Sequence, residues 1–322
     1  IINRACAAQA IPGSHLPLAE EAIELLKHND FFCDFAKPPS ELLWLSDTRL
    51  QFTSQVYTPW QEANIVHAQL FRCPGKWQEK PTVVLVHGWN DEFGYRYQYP
   101  IFARKLVRAG INAAMIELPF TLQRRPRSRA AVNDFISEDL FCTVQAARQS
   151  ICDVRALLGW LSAQGCKQLG LWGVSLGGWI SGLILAHEPL VDLGVLVVPI
   201  TRMDVAIKNL DFCAPLRRSL ENVAFDFKKL NLLTLPTKAS EKDLLFIEAE
   251  HDLFADKAAI EELAEIWRPE IWRVQHGHIT TLFSLPLMTR TVRWIAEKLH
   301  AAEADVPEES LRSTSPGLRR SV

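Results

Sequence analysis

Several patterns that would assign a protein to a specialised class are missing from this sequence of 322 residues. It has no run of about 18 apolar residues, so no transmembrane segment is predicted. Its 35 Lys and Arg residues are balanced by 37 Asp and Glu, for a formal net charge of -2, and nucleic-acid binding is therefore not indicated. No segment repeats at a period of roughly 20 to 50 residues, which argues against solenoids and propellers.

Cysteine is present but follows no pattern. The 7 cysteines are scattered along the chain and never form a C-x-x-C pair, so neither a disulfide framework nor a zinc site is predicted. The simplest interpretation is buried free thiols in a reducing compartment, and we expect a cytoplasmic protein. Because the sequence starts at Ile1 rather than Met, a secreted protein with a removed signal peptide stays open as the alternative.

The composition is that of an ordinary globular protein, with 48% hydrophobic and 22% charged residues. Residues 1–64 are interpreted as an N-terminal extension with one helix near residues 18–27 and the first strands. Residues 301–322 are rich in Ser, Pro, Glu and Arg and are expected to form a disordered tail. The one basic cluster is interrupted by a proline, so we expect a solvated loop there; it consists of Arg124, Arg125, Arg127 and Arg129.

Strand-like and helix-like segments alternate from residue 82 onwards. The strand-like segments are short and almost wholly apolar, as expected for strands that are buried on both faces; they cover residues 82–86, 112–118, 169–174, 193–198, 243–249 and 271–275. The helices between them include a long one over residues 132–163. This alternation predicts an α/β fold with a mostly parallel central sheet flanked by helices.

The alternation is interrupted between residues 198 and 243, where a simple crossover would need far less chain. Apolar residues recur there at spacings of four and three, the pattern of a helix face; they are Leu216, Leu220, Val223, Phe227 and Leu230. We therefore predict a small helical lid insertion over residues 200–242. The alternative is a pair of packing helices with no role in substrate binding.

The stretch from Gly173 to Gly178 contains the pattern G-x-S-x-G, directly after an apolar strand and directly before a helix. A serine on such a sharp turn is exposed above the sheet, and the turn needs small residues on both sides. The helix N-terminus that follows stabilises negative charge. This context predicts that Ser175 is a nucleophile.

On this motif and the βα units before it, the chain resembles the α/β-hydrolase superfamily from about residue 65 to about residue 300. In that family the nucleophile follows the fifth strand, the acid follows the seventh and the histidine follows the eighth. The resemblance implies Asp252 as the acid, three residues after the small Ala249 that closes a strand. It implies His278, directly preceded by Gly277, as the base.

Three neighbouring residues compete for these two roles. Glu250 lies close to the end of the strand, and Asp256 is expected to cap the next helix. His276 lies two residues before His278 but lacks the preceding glycine. The positions of Asp252 and His278 fit the family pattern better than these three.

The resemblance also implies an oxyanion hole made of two backbone N–H groups. One belongs to Leu176, directly after the nucleophile, and the other to Trp89 in the segment His87-Gly88-Trp89-Asn90. His87 is interpreted as an architectural residue. The Trp89 side chain either lines the acyl pocket or only packs. Residues 95–99 are expected on a surface helix near the mouth of the pocket, and substrate binding by this run is the alternative.

These expectations describe a serine hydrolase that cleaves a carboxylic ester through an acyl-enzyme on Ser175. The partner is a small-molecule acyl substrate, and no metal or organic cofactor is needed. An acyltransferase, a thioesterase or a lactonase would use the same triad, and a catalytically silent ligand-binding relative is the alternative from another class. The sequence does not indicate an oligomeric state.

Overall fold

A nine-stranded mixed β-sheet organises the computed structural model, which describes residues 15–34, 36–127, 135–221 and 223–304. The strands are β1 (Leu42–Trp44), β2 (Arg49–Thr53), β3 (Ile65–Phe71), β4 (Thr82–Val86), β5 (Asn112–Ile116), β6 (Leu169–Val174), β7 (Leu193–Val197), β8 (Leu244–Ala249) and β9 (Glu270–Val274). Their order across the sheet is β1-β2-β3-β5-β4-β6-β7-β8-β9. Strands β1 to β3 are antiparallel, β3 pairs antiparallel with β5, and all other pairs are parallel.

The six strand-like segments predicted from residue 82 onwards are confirmed, with shifts of a residue or two at their ends. Every residue of β4, β5, β6, β7 and β8 is buried. These strands have covered faces on both sides, which explains why they are continuous apolar runs rather than alternating ones. Strand β1 carries no such signal, since it has three residues at the edge of the sheet.

Helices cover both faces of the sheet. They are α1 (His15–Lys27), α2 (Gln61–Asn64), α3 (Tyr99–Arg108), α4 (Leu140–Gln164), α5 (Leu176–His187), α6 (Met203–Asn209), α7 (Ala214–Ser219), α8 (Lys257–Trp267) and α9 (Leu285–Ala304). One core lies beneath α1, α4, α5 and α8, and a second lies beneath α3 and α9 on the opposite face. In the described part of the chain, none of the helices is long and apolar enough to cross a membrane.

Helix α4 begins later than residue 132, where the sequence pattern placed its start. The Asp139 carboxylate accepts the N–H of Cys142 at 3.0 Å and caps the helix, which therefore starts at Leu140. Residues 128–134 lie outside the described part. The helix ends at Gly165, which has a φ of 112° and is a left-handed glycine C-cap.

The insertion after β7 is only partly helical, so the continuous helix face suggested by the apolar spacing is not present. Two short helices, α6 and α7, are followed by 3₁₀ turns. The Asp226 side chain accepts the N–H of Lys228 at 2.9 Å, a local bond that favours a turn over a longer helix. Leu216 and Leu230 are both buried, but they reach the core from separate turns.

Two buried tryptophans anchor the later part of this insertion. The indole N–H of Trp179, on α5, donates to the carbonyl oxygen of Leu230 at 2.7 Å. The indole N–H of Trp267, on α8, donates to the carbonyl oxygen of Leu235 at 2.8 Å. Residues 230–235 are therefore attached to the helices that pack on the sheet.

The basic cluster is not a solvated loop throughout, and the expectation is wrong for Arg124. This side chain is fully buried, pairs with the Asp153 carboxylate at 2.7 Å and also donates to backbone carbonyls. Its partner lies 29 residues later, on α4, which is why the local sequence pattern does not reveal it. Arg127 is exposed as expected, and Arg129 lies outside the described residues.

The N-terminal segment packs on the core beneath α4. Helix α1 confirms the helix expected near residues 18–27 and contributes to the core that α4 shares. Arg155 of α4 pairs with Asp34 at 3.0 Å and with Glu188 at 2.9 Å. The cysteines in the described part of the chain are buried, and Cys6 lies outside it. Of the tail expected at 301–322, residues 305–322 are also outside it.

Candidate active site

The turn between β6 and α5 holds Ser175 in a strained backbone conformation, with φ 54° and ψ -115°. Positive φ is uncommon for residues other than glycine and clusters at functional sites. A Cβ atom on Gly173 would lie 2.3 Å from the Gly177 carbonyl oxygen, and one on Gly177 would lie 2.2 Å from that of Val86. Both positions therefore require glycine, and together they produce the sharp turn that the motif predicts.

Asp252 and His278, which follow β8 and β9, are joined by a hydrogen bond. Nδ1 of His278 lies 2.8 Å from Oδ2 and 2.9 Å from Oδ1 of Asp252. The side chains are 12% and 4% exposed, so little water competes for this contact. Oδ1 also accepts the N–H groups of Phe254 and Ala255, each at 2.8 Å. The position of the carboxylate is thus fixed. Only Nδ1 of the His278 ring is used in this contact, so Nε2 can interact with another group.

The competing residues are engaged elsewhere. Glu250 is exposed and pairs with Lys257 at 2.9 Å. Asp256 caps α8, since its Oδ1 accepts the N–H of Ala259 at 3.0 Å. His276 is held through its backbone, and its carbonyl oxygen accepts the N–H of His251.

Ser175 lies at the same edge of the sheet as this acid–histidine pair, because β6, β8 and β9 are parallel and their carboxyl ends coincide. Among the described residues, Oγ of Ser175 has no hydrogen-bond partner, so no hydrogen bond joins it to the ring of His278 in this structure. Catalytic hydrogen bonds of this kind are often long until substrate binds.

The loop after β4 carries the candidate oxyanion donor Trp89. Nε2 of His87 accepts the N–H of Leu118 at 3.0 Å, and Nδ1 donates to the carbonyl oxygen of Gly88 at 2.7 Å. Burial lowers the pKa of His87 to about 4, so the ring is neutral and serves to fix the loop. Within the described residues, neither the N–H of Trp89 nor that of Leu176 donates to a protein acceptor, which leaves both available.

An aromatic row, made of Trp89, Phe212 and Phe254, borders the site. The ring of Phe212, from the insertion, stacks on Trp89 at 4.2 Å between centroids. Phe254 lies 6.1 Å from Phe212 and 5.0 Å from the ring of His278. The Trp89 side chain therefore contacts the insertion. Sequence reasoning missed this row because its members come from three separate loops.

Two cavities lie beside the site. A cleft of about 420 Å³ separates α6 from the loop after β8 and is bordered by Arg202, Asn209 and Leu253. A smaller cavity of about 40 Å³ lies under the insertion, next to Leu176, and its lining is almost wholly apolar. No group of three or more His, Cys, Asp or Glu side chains suited to a metal ion occurs in the described ranges.

Sequence reasoning also missed Asp91 and its partner Tyr99. Residues 95–99 were expected on a surface helix, and this is wrong for Tyr95 and Tyr99, which are 2% and 1% exposed. A π-helical stretch, Gly94–Gln98, precedes α3, and the Tyr99 hydroxyl donates to Oδ2 of Asp91 at 2.8 Å. No sequence pattern marks a π-helical turn, and therefore this contact was not predictable.

Comparison with known sequences gives a family match and curated relatives. Residues 51–207, a little under half of the chain, match the family described as alpha/beta hydrolase domain containing 18. The uncharacterized protein Rv2627c of Mycobacterium tuberculosis is 33% identical over 153 residues, which are 46% of this chain and 35% of that protein. The match thus spans about a third of the relative's own length.

Known structures share most of this architecture at low sequence identity. The alpha/beta hydrolase GrgF from Penicillium sp. sh18 has a TM-score of 0.55 and 14% identity, over 79% of this chain and 99% of that one. The Pyrococcus furiosus esterase Pf2001 has a TM-score of 0.53 and 14% identity, over 81% and 99%. At these sequence identities the structures are evidence for the fold alone. The chain therefore has the α/β-hydrolase fold, and a little under half of it matches one family of alpha/beta hydrolase domains.

Proposed function

We propose that the protein is a serine hydrolase that cleaves a carboxylic ester through an acyl-enzyme on Ser175. One observation carries the proposal: Nδ1 of His278 is fixed on the buried carboxylate of Asp252, at the sheet edge where Ser175 occupies a strained turn. With its Nδ1 proton engaged, the neutral imidazole has Nε2 free to accept the serine proton.

The proposed reaction proceeds in two halves. Nε2 of His278 takes the proton from Oγ of Ser175 as this oxygen attacks the carbonyl carbon. The N–H groups of Trp89 and Leu176 then stabilise the oxyanion, each by roughly 3 kcal/mol. The ester C–O bond breaks, the alcohol oxygen takes the proton from His278, and a water molecule releases the acid from the acyl-enzyme by the same route. No step needs a metal or an organic cofactor.

The surroundings of Ser175 favour an apolar acyl group. Leu176, next to the nucleophile, lines the small cavity under the insertion together with Trp179 and Ile207. The aromatic row borders the other side. Apolar walls with a few directed polar groups are typical of small-molecule sites. Thioesters, lactones and acyl transfer to another acceptor would use the same groups, and only the product distinguishes them.

The test is hydrolysis of p-nitrophenyl esters with acyl chains of about two to twelve carbons, because these lengths sample the range of acyl pockets. Ser175→Ala is compared with Ser181→Ala, which removes a buried serine hydroxyl in the following helix. We expect the wild type and Ser181→Ala to be active and Ser175→Ala to be inactive. If the wild type neither cleaves an ester nor reacts with a fluorophosphonate at Ser175, the proposal fails and a silent ligand-binding protein is favoured.

A further inference from the structure

We propose that Asp91, in the loop after β4, is a positioning residue of this site. Its carboxylate holds the loop that carries the candidate oxyanion donor Trp89 against α3. The inference rests on the proposed function, because it concerns how the groups around Ser175 are arranged.

The loop is built around the Asp91 carboxylate. Oδ1 accepts the N–H of Gly94 at 3.0 Å, and Oδ2 accepts the hydroxyl of the buried Tyr99 at 2.8 Å. A Cβ atom on Gly94 would lie 2.2 Å from Oδ1 and 2.6 Å from Oδ2. Only glycine therefore fits at position 94 while the carboxylate stays in place.

The backbone between Asp91 and Tyr99 has an unusual form that permits this contact. The N–H of Tyr95 donates to the Asp91 carbonyl oxygen at 3.0 Å, and the π-helical stretch Gly94–Gln98 continues into α3. π-Helical turns are rare and are frequent at functional sites. Here the wider turn brings Tyr99, eight residues along the chain, back to Asp91.

Asp91 also lies close to the nucleophile. A Cβ atom on Gly88 would lie 3.5 Å from Cβ of Ser175 and 3.7 Å from Cβ of Asp91. The two side chains therefore flank Gly88, the residue before the candidate oxyanion donor Trp89. Fixing Asp91 to α3 thus fixes the position of the Trp89 N–H relative to Ser175, and small displacements of such groups are costly for catalysis.

The charges around Asp91 come from two other elements. Burial raises the pKa of Asp91, while the Tyr99 hydroxyl of α3, the Gly94 and Gly88 N–H groups and the charge of His278 lower it. Tyr99 stays a neutral donor because burial raises the pKa of its hydroxyl well above the usual value. The contact between Tyr99 and Asp91 is therefore a hydrogen bond from a neutral hydroxyl to the carboxyl group.

The experiment measures the rate of Ser175 labelling by a fluorophosphonate as a function of probe concentration, which requires no knowledge of the substrate. Asp91→Asn is expected to slow labelling about 10- to 100-fold at saturating probe. The half-saturating probe concentration should change less than about threefold, because the loop acts on the reacting groups rather than on probe binding. Tyr99→Phe removes the hydrogen bond from α3 but keeps the Asp91 carboxyl group, so labelling should slow by a smaller factor.

Glu92→Gln is the matched control. Glu92 is the next residue in the loop, but its carboxylate pairs with Arg125 and Arg96. Its loss should leave the labelling rate and the half-saturating probe concentration within about twofold of the wild type, since partly exposed pairs contribute little. Thermal melting of each variant separates misfolding from an effect on the site. If Asp91→Asn does not fold, Tyr99→Phe must slow labelling at least about fivefold for the inference to stand.

Two results would overturn the inference while the proposed function stands. In the first, Asp91→Asn is labelled as fast as the wild type at every probe concentration. In the second, labelling slows only in proportion to a loss of folded protein in thermal melting, which would make Asp91 a purely structural residue. A wild-type protein that is never labelled at Ser175 would instead overturn the proposed function, and this inference with it.

Discussion

Substituting asparagine for Asp252 tests the proposed triad where its geometry is most restrictive. Oδ1 of Asp252 accepts the N–H groups of Phe254 and Ala255 at 2.8 Å each, so the asparagine carbonyl oxygen takes that place. The amide nitrogen then occupies the Oδ2 position, 2.8 Å from Nδ1 of His278, and presents a donor where the ring needs an acceptor. The imidazole proton should therefore move to Nε2, which can no longer accept the proton of Ser175.

The expected loss is large because the wrong tautomer cannot act as a base. The same substitution in a Ser-His-Asp enzyme lowers kcat by about 10⁴-fold, or about 5.5 kcal/mol of activation free energy. KM should change less than about threefold, since loss of a group that acts only in the transition state leaves ground-state binding intact. Both constants are measured with the best p-nitrophenyl ester near neutral pH.

Glu250→Gln is the control for this experiment, because Glu250 lies two residues earlier and pairs with Lys257 at the surface. It should keep nearly all of the wild-type kcat. The reasoning is refuted if Asp252→Asn retains more than about a tenth of the wild-type kcat, or if Glu250→Gln loses as much. Thermal melting establishes that both variants are folded.

Three further changes probe other parts of the molecule. Arg124→Met should lower the free energy of unfolding in urea by about 3–5 kcal/mol, because it leaves the Asp153 carboxylate buried without its partner. A decrease of less than about 1 kcal/mol would contradict a buried ion pair. Burial lowers the pKa of His87 to about 4, so the unfolded chain takes up a proton on this imidazole before the folded protein does. The free energy of unfolding should therefore fall by up to about 3 kcal/mol as the pH drops from about 6.5 to about 4. A variant that lacks this imidazole should lose part of this pH dependence. Phe212→Ala should alter KM for long-chain esters about 3- to 10-fold with little effect on kcat, because the ring stacks on Trp89 at the edge of the site. If KM does not change for any acyl chain length, this ring lies outside the substrate pocket.

The candidate site was largely predictable because its signals are local. Ser175 sits in a five-residue motif whose glycines are required by contacts of 2.2 to 2.3 Å. Asp252 and His278 lie a few residues beyond the ends of apolar strands. Since parallel strands bring their carboxyl ends to one edge of a sheet, chain order alone indicates that these residues meet there.

Features that depend on distant partners were not predictable. Arg124 reads as a surface residue until its partner Asp153, 29 residues later, is placed beside it. The spacing of apolar residues in the insertion suggested one helix face, whereas the buried residues come from separate turns. Asp91 belongs to the same class, since its contact with Tyr99 depends on a π-helical turn that no periodicity reveals.

The two indole hydrogen bonds that anchor residues 230–235 have a consequence for which substitutions this segment can accept. Trp179 and Trp267 donate to the backbone carbonyl oxygens of Leu230 and Leu235. These hydrogen bonds therefore do not depend on which side chains occupy positions 230 and 235. Substitutions at these two positions that keep the backbone in place should therefore leave this end of the insertion attached to α5 and α8.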